Sequence, residues 1–287
     1  MQAYLDCVVC LVRQCLDASR MLTDKIEIQE KILRQVLLEI SSMSFEQSPP
    51  YMALKVHRLI REIAGDGDPY KEAKELFNRV ALELYPELKE KIKGSPDPLE
   101  TAVRLAIAGN IIDFAVSGNL DRNEVEKTII NSLQQPLAIN KLPQLREAAR
   151  EATSILYLGD NAGEVVFDRL LIEELQPAAK ITFAVKGHPV INDATMEDAV
   201  ATGLTQVVKV VSNGSDAPGT ILELCSPEFQ RWFKNTDLII AKGQANYETL
   251  SEAAEKVYFL LMAKCPVIAR DIGCKVGDMV VLHKNRG

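Results

Sequence analysis

The residues best equipped for chemistry sit where short apolar runs end. Ser154-Ile155-Leu156-Tyr157-Leu158 gives way to Gly159-Asp160-Asn161-Ala162-Gly163-Glu164, a carboxylate and an amide just before a helical pattern. In open α/β sheets ligands bind at such strand ends, and a helix starting near Ala162 would aim free N–H groups and its positive dipole end at the same spot. Asp160 could hold a cation while the helix start holds an anion. The same residues also suit an ordinary strand-to-helix turn, with Asp160 or Asn161 as its cap.

Later runs end in a similar way. One leads into Lys186-Gly187-His188-Pro189 and then Asn192-Asp193-Ala194-Thr195, another into Asn213-Gly214-Ser215-Asp216, and a third into Lys242-Gly243-Gln244-Ala245-Asn246. In a parallel sheet these tips share one edge, which brings Asp160 and Asn161, Lys186 and Asp193, and Lys242 and Asn246 together. Gly214 fits either an anion-cradling turn or a plain left-handed turn. Carboxylates with an amide oxygen are hard ligands for Mg²⁺ or Mn²⁺, and lysines beside them suit a phosphate ester. The constellation predicts phosphomonoester hydrolysis by cation-activated water, with Lys242 and backbone amides stabilising the equatorial oxygens. Lys186 stands where a dinucleotide site needs an acid, and no G-x-G-x-x-G turn is present, which counts against nicotinamide, flavin and S-adenosylmethionine. No P-loop occurs either.

The elements that must position these groups divide the 287-residue chain at about residue 151. Before it the apolar spacing is helical, predicting helices near 6–20, 25–41, 51–64, 69–91, 98–116, 121–133 and 142–151. Breaks such as Ser48-Pro49-Pro50 and Gly94-Ser95-Pro96 punctuate them. After it, β-type runs at 155–158, 181–185, 207–211, 238–241, 257–261 and 279–282 alternate with helical stretches. The expectation is an α/β protein: an all-helical region, 1–151, and an α/β/α catalytic domain, 152–287, with a mainly parallel sheet. Asn110 and Asp113 lie three apart in an apolar helix, so they either find partners inside or face a cleft. Cys7 and Cys10 form a CxxC for which packed thiols are the favoured reading and a metal or redox pair the other.

Composition narrows the classes. A net charge of −7 argues against a nucleic-acid backbone as the main partner and leaves room for a local lysine or arginine pocket that takes a small anion. The first apolar run, Tyr4 to Val12, is broken by Asp6 and too short to span a bilayer, so a cytoplasmic protein with no membrane partner is expected. Six cysteines without an export signal read as reduced thiols.

Taken together, Cys7-Val8-Val9-Cys10, Gly109-Asn110-Ile111-Ile112-Asp113, Gly159 through Glu164, Val185-Lys186-Gly187 with Asn192 through Thr195, and Lys242 through Glu248 resemble the metal-dependent damage-control phosphatase family. These stretches look like its stand-alone archaeal branch. The resemblance implies a Rossmann-like α/β/α domain, with a divalent ion (Mg²⁺, Mn²⁺, Co²⁺ or Ni²⁺) held at Asp160, Asn161 and Asp193. It implies that Lys242, with Asn110 or Asp113, faces the substrate; Glu164, Lys186, Gly214 and Asn246 complete the expected binding set. Sugar phosphates or damaged phospho-metabolites are the implied substrates. Gln244 departs from the Lys-Gly-Asp of many relatives and bears on substrate choice. The family's history also offers carboxyl methyl transfer from S-adenosylmethionine as a rival, and a non-catalytic metabolite-binding module is a third reading.

Overall fold

The computed structural model describes residues 1–65, 67–112, 122–176, 178–253 and 256–284. Helices α1 (Leu5–Leu22), α2 (Ile26–Ser42) and α3 (Pro49–Ala64) come first, α3 opening on two prolines whose missing N–H groups cost nothing in a first turn. Leu11, Cys15, Ile32, Val36, Met52 and Val56 lock these three into an apolar cluster of their own. Then follow α4 (Lys71–Lys93), α5 (Pro98–Ile112) and α6 (Arg122–Gln134). A short strand, β1 (Leu137–Asn140), interrupts the helices before α7 (Leu142–Glu151). Four residues after a proline carry too little period to be read as a strand, so the sequence reading missed it.

The alternating half follows the expected grammar: β2 (Ser154–Leu158), α8 (Glu164–Leu175), β3 (Lys180–Val185), α9 (Met196–Ala201), β4 (Lys209–Ser212), α10 (Pro227–Asn235), β5 (Leu238–Lys242), α11 (Gly243–Leu250), β6 (Val257–Met262), α12 (Pro266–Ile272) and β7 (Met279–His283). The sheet runs β1-β7-β6-β5-β2-β3-β4. Strands β2 to β6 are parallel, while β7 runs antiparallel to β6 and pairs parallel with β1. A mainly parallel sheet was expected and is found.

Alternation along each strand feeds two cores. Ile155, Tyr157, Leu238 and Ile240 face the layer that includes α4, α5 and α8. Leu156, Leu158, Ile239 and Ala241 face the layer of α10, α11 and α12. Burial on both faces explains why these runs are apolar throughout rather than alternating. The chain leaves β2 toward β3 on one side and returns to β5 on the other, so a topological switch point lies between β2 and β5. Open α/β sheets bind ligands in the crevice at such a point.

Cys15 is buried in the helical cluster and half-buried Cys7 packs against it, while Cys10 is exposed, so packed thiols describe Cys7 but not Cys10. All six cysteines are free thiols. Among the described residues no helix is long and apolar enough to cross a membrane.

Candidate active site

Asp160 leaves the tip of β2 two residues past Leu158. Gly159 turns the chain there, donating its N–H to Ala184 O at 3.0 Å; a side chain on it would meet the Phe183 ring at 2.6 Å. The loop after β3 is then stitched alongside. Ala194 N donates to Asp160 O at 2.8 Å, Ala162 N to Asn192 O at 3.0 Å, and Asn161 and Asp193 form an isolated antiparallel bridge. The loop is anchored beyond the bridge, where Thr195 N donates to Asp198 Oδ2 at 2.8 Å in the first turn of α9 and Lys186 pairs with Thr195. Two strand tips remote in sequence are thereby held side by side.

Around them lies a buried polar cluster. Asn110, fully buried in α5, donates Nδ2 to Asp160 Oδ2 at 2.9 Å and to Glu164 Oε1. Asn161 Nδ2 donates to the same Glu164 oxygen at 2.6 Å and lies 3.4 Å from Asp160 Oδ2. The expectation that Asn110 finds partners or faces a cleft resolves toward partners. Asp113 lies outside the described residues.

Lys242, at the end of β5, has no solvent exposure. Its Nζ donates to Asp168 Oδ1 at 2.7 Å and Glu164 Oε2 at 3.0 Å. Burial works against its charge, but the two carboxylates outweigh it and hold the lysine's pKa above its ordinary value. Asp168, which also accepts from Tyr157 OH at 2.8 Å, is pushed up to about 6, chiefly by burial, with Lys242 opposing. Neither Asp168 nor Tyr157 was singled out from sequence. The available signal was an acid four residues after Glu164, hence on the same face of the helix.

Lys186 Nζ, also buried, donates to Gly219 O and lies 3.2 Å from Asp193 Oδ2. That spacing makes an ion pair, yet Asp193 Oδ2 has no partner of hydrogen-bond geometry, and neither does Asn110 Oδ1. Asp160 is raised well above the usual carboxylate range by burial and then by the charges of Glu164 and Asp193. Asp193 is raised by burial, against the pull of Lys186.

Other expected residues hold the scaffold. Asn246 is completely buried, donating to Lys242 O at 2.8 Å and Gly159 O at 3.1 Å and accepting from Thr220 at 2.7 Å, so its amide ties the tips of β2 and β5 together. Gly214 has φ 76° and packs against Ser226, while a side chain on Gly187 would strike Gly214 itself. Its observed contacts are those of close loop packing.

Two buried carboxylates, Asp160 and Asp193, and two buried ammonium groups, Lys186 and Lys242, therefore lie at neighbouring strand tips. Among the described residues, no three Asp, Glu, His or Cys side chains could enclose an ion by themselves. A donor set of two carboxylates and an amide is not of that kind, and the repulsion that Glu164 and Asp193 exert on buried Asp160 is what a bound cation would relieve.

Comparison with known proteins gives concordant matches over nearly the full length. Residues 3–280 match the family model described as the damage-control phosphatase ARMT1-like domain. The chain is 39% identical to an uncharacterised protein of Methanocaldococcus jannaschii, over 97% of this chain and 94% of that one. It is 37% identical to a damage-control phosphatase of Archaeoglobus fulgidus, over 96% of each. The crystal structure of a DUF89 family protein from Pyrococcus horikoshii superposes with a TM-score of 0.92 at 33% identity, covering 99% of this chain and all of that one.

Proposed function

We propose, for a chain that belongs to the damage-control phosphatase family with its ARMT1-like domain and is thus a hydrolase of phosphate esters, that it removes phosphate from small phosphorylated metabolites with the help of one divalent cation. Sugar phosphates and damaged phospho-metabolites are the substrate classes. The observation that carries this reading is the bridge between Asn161 and Asp193, which sets Asp160 near Asp193 so that their like charges repel.

Asp160, Asp193 and the Asn161 amide oxygen would hold the cation. As a hard Lewis acid it supplies charge to the phosphoryl oxygens and makes water a nucleophile at neutral pH. The rest of the work falls to the chain's own side chains. Asn110 and Asn161 orient the carboxylates of Asp160 and Glu164 through their amide hydrogens. Lys242 uses two donors on Glu164 and Asp168, and the ammonium group has a third N–H for the phosphoryl group. Lys186 adds a second positive charge beside Asp193. Preorganised charge of this kind, out of water, is usually the largest catalytic term.

The test is hydrolysis of p-nitrophenyl phosphate and a panel of phosphorylated metabolites, with each divalent ion and after EDTA. Loss of turnover with EDTA and in Asp160→Ala is expected. Undiminished hydrolysis by purified Asp160→Ala protein would refute the reading.

A further inference from the structure

We propose that a cavity of about 480 Å³ between α3 and the loops after β3 and β4 receives the organic, hydroxyl-bearing part of the phosphomonoester, with His57 as a specificity-determining residue. The inference rests on the phosphatase reading above and locates the leaving group.

The cavity is walled by His57 and Arg61 from α3, Asp68 from the following loop, His188 and Ile191 from the loop after β3, and Asp216 from the turn after β4. His57 and Arg61 are four apart and so share one helix face. The volume lies within the range of about 300–1,000 Å³ usual for small-molecule sites. It also lies next to the chemistry. Ile191 precedes Asp193 by two residues, and Asp193 N donates to Val190 O at 3.1 Å, so the wall is within about 7.6 Å of the Asp193 Cα.

The loop that joins the two is held in a costly shape. Ile191 has φ 45°, the only non-glycine positive φ among the described residues and an unfavourable one for a β-branched side chain. Strain of this kind gathers at ligand clamps, where the surroundings over-determine it.

The lining also says what is bound. Arg61 is paired with Asp216 at 2.5 Å, Arg58 chelates the same carboxylate at 2.7 and 2.9 Å, and Asp68 pairs with Lys74 at 3.4 Å. Each of these charges has a partner, and the Asp216 carboxylate is shared by two guanidinium groups. Buried His57 is different: its Nε2 has no hydrogen-bond partner. Burial, and then the neighbouring Arg61, hold its pKa down to about 4, so at neutral pH the ring is uncharged. An unpaired neutral imidazole beside paired charges suits a hydroxyl group, as donor or acceptor.

The experiment compares kcat/KM for the best-turned-over of glucose 6-phosphate, ribose 5-phosphate and glycerol 3-phosphate with that for p-nitrophenyl phosphate, which has no hydroxyls to place. In His57→Leu this ratio should fall about tenfold, the usual worth of one lost hydrogen bond, chiefly through KM. His57→Gln, which restores a polar group, should recover most of it. His188→Ala, at an exposed position that folding does not depend on, should lower the ratio in the same direction. Wild-type hydrolysis of p-nitrophenyl phosphate with an unchanged ratio in all three variants overturns the cavity assignment and leaves the phosphatase reading standing. A wild-type protein that hydrolyses none of these esters with any divalent ion overturns both.

Discussion

A side-chain carbon on Gly243 would fall on the carboxylate of Asp160, because the start of α11 and the tip of β2 approach that closely at the switch point. Gly243 also has φ 76°, so both space and backbone require glycine. Gly243→Ala should displace Asp160, lowering phosphatase activity about 100-fold or more. It should also cost on the order of 2–4 kcal/mol in urea unfolding, as strain and overpacking combine. Wild-type kinetics in this variant would show that the position of Asp160 is not critical.

Lys242 is paired with two buried carboxylates, so its loss should be severe. Lys242→Met leaves Glu164 and Asp168 uncompensated, and breaking a buried pair from one side costs about 3–5 kcal/mol. Adding Asp168→Asn should return part of that stability without returning activity. Equal stability of the single and double variants would mean that Asp168 does not depend on Lys242 for its charge.

Asp160 is held where charge is unwelcome, which places function against stability. In EDTA, Asp160→Asn should stabilise the protein while abolishing hydrolysis, since it removes a buried carboxyl raised by burial, Glu164 and Asp193. Thermal unfolding with and without a divalent ion reads this directly. A destabilised variant would argue that the carboxylate is held by hydrogen bonds alone.

Glu248, buried on α11, is raised from 4.5 to about 7, mainly by burial. A carboxyl whose folded pKa is raised binds its proton more tightly in the native state, so its contribution to stability falls as pH rises from 4.5 to about 7. Relative to Glu248→Gln, the wild type should lose on the order of 2–3 kcal/mol across that window and nothing further above it. Denaturant midpoints at pH 5, 6, 7 and 8, all set points of the experiment, measure the difference. Parallel curves would contradict the shift.

Much of this architecture was legible in the sequence because apolar period is a strong signal. The runs ending at Leu158, Val185 and Ala241 are all sheet strands, and the breaks at Ser48-Pro49-Pro50 and Gly94 do bound helices. β1 was not legible: a four-residue edge strand is recruited by β7, and the pairing is a tertiary event. At the site, strand-tip position was enough to bring forward Asp160, Asn161, Asp193, Lys186 and Lys242. Asp168 was hidden because α8 carries several other charged residues, and nothing marks this one until the facing lysine is known. Asn246 and Gly214 were legible as conspicuous but not as scaffold, since an amide bound to two carbonyls and one bound to a ligand look alike in a sequence. Gly243 shows the same limit, its constraint coming from Asp160, 83 positions earlier.

The central claim, that Asp160, Asn161 and Asp193 hold one hard cation, is tested most directly by titrating Mn²⁺ into the metal-stripped protein and following it by electron paramagnetic resonance. One bound ion per chain is expected in the wild type, with affinity reduced about 100-fold or more in Asp193→Asn. Binding of equal affinity in that variant, or none in the wild type, would contradict it.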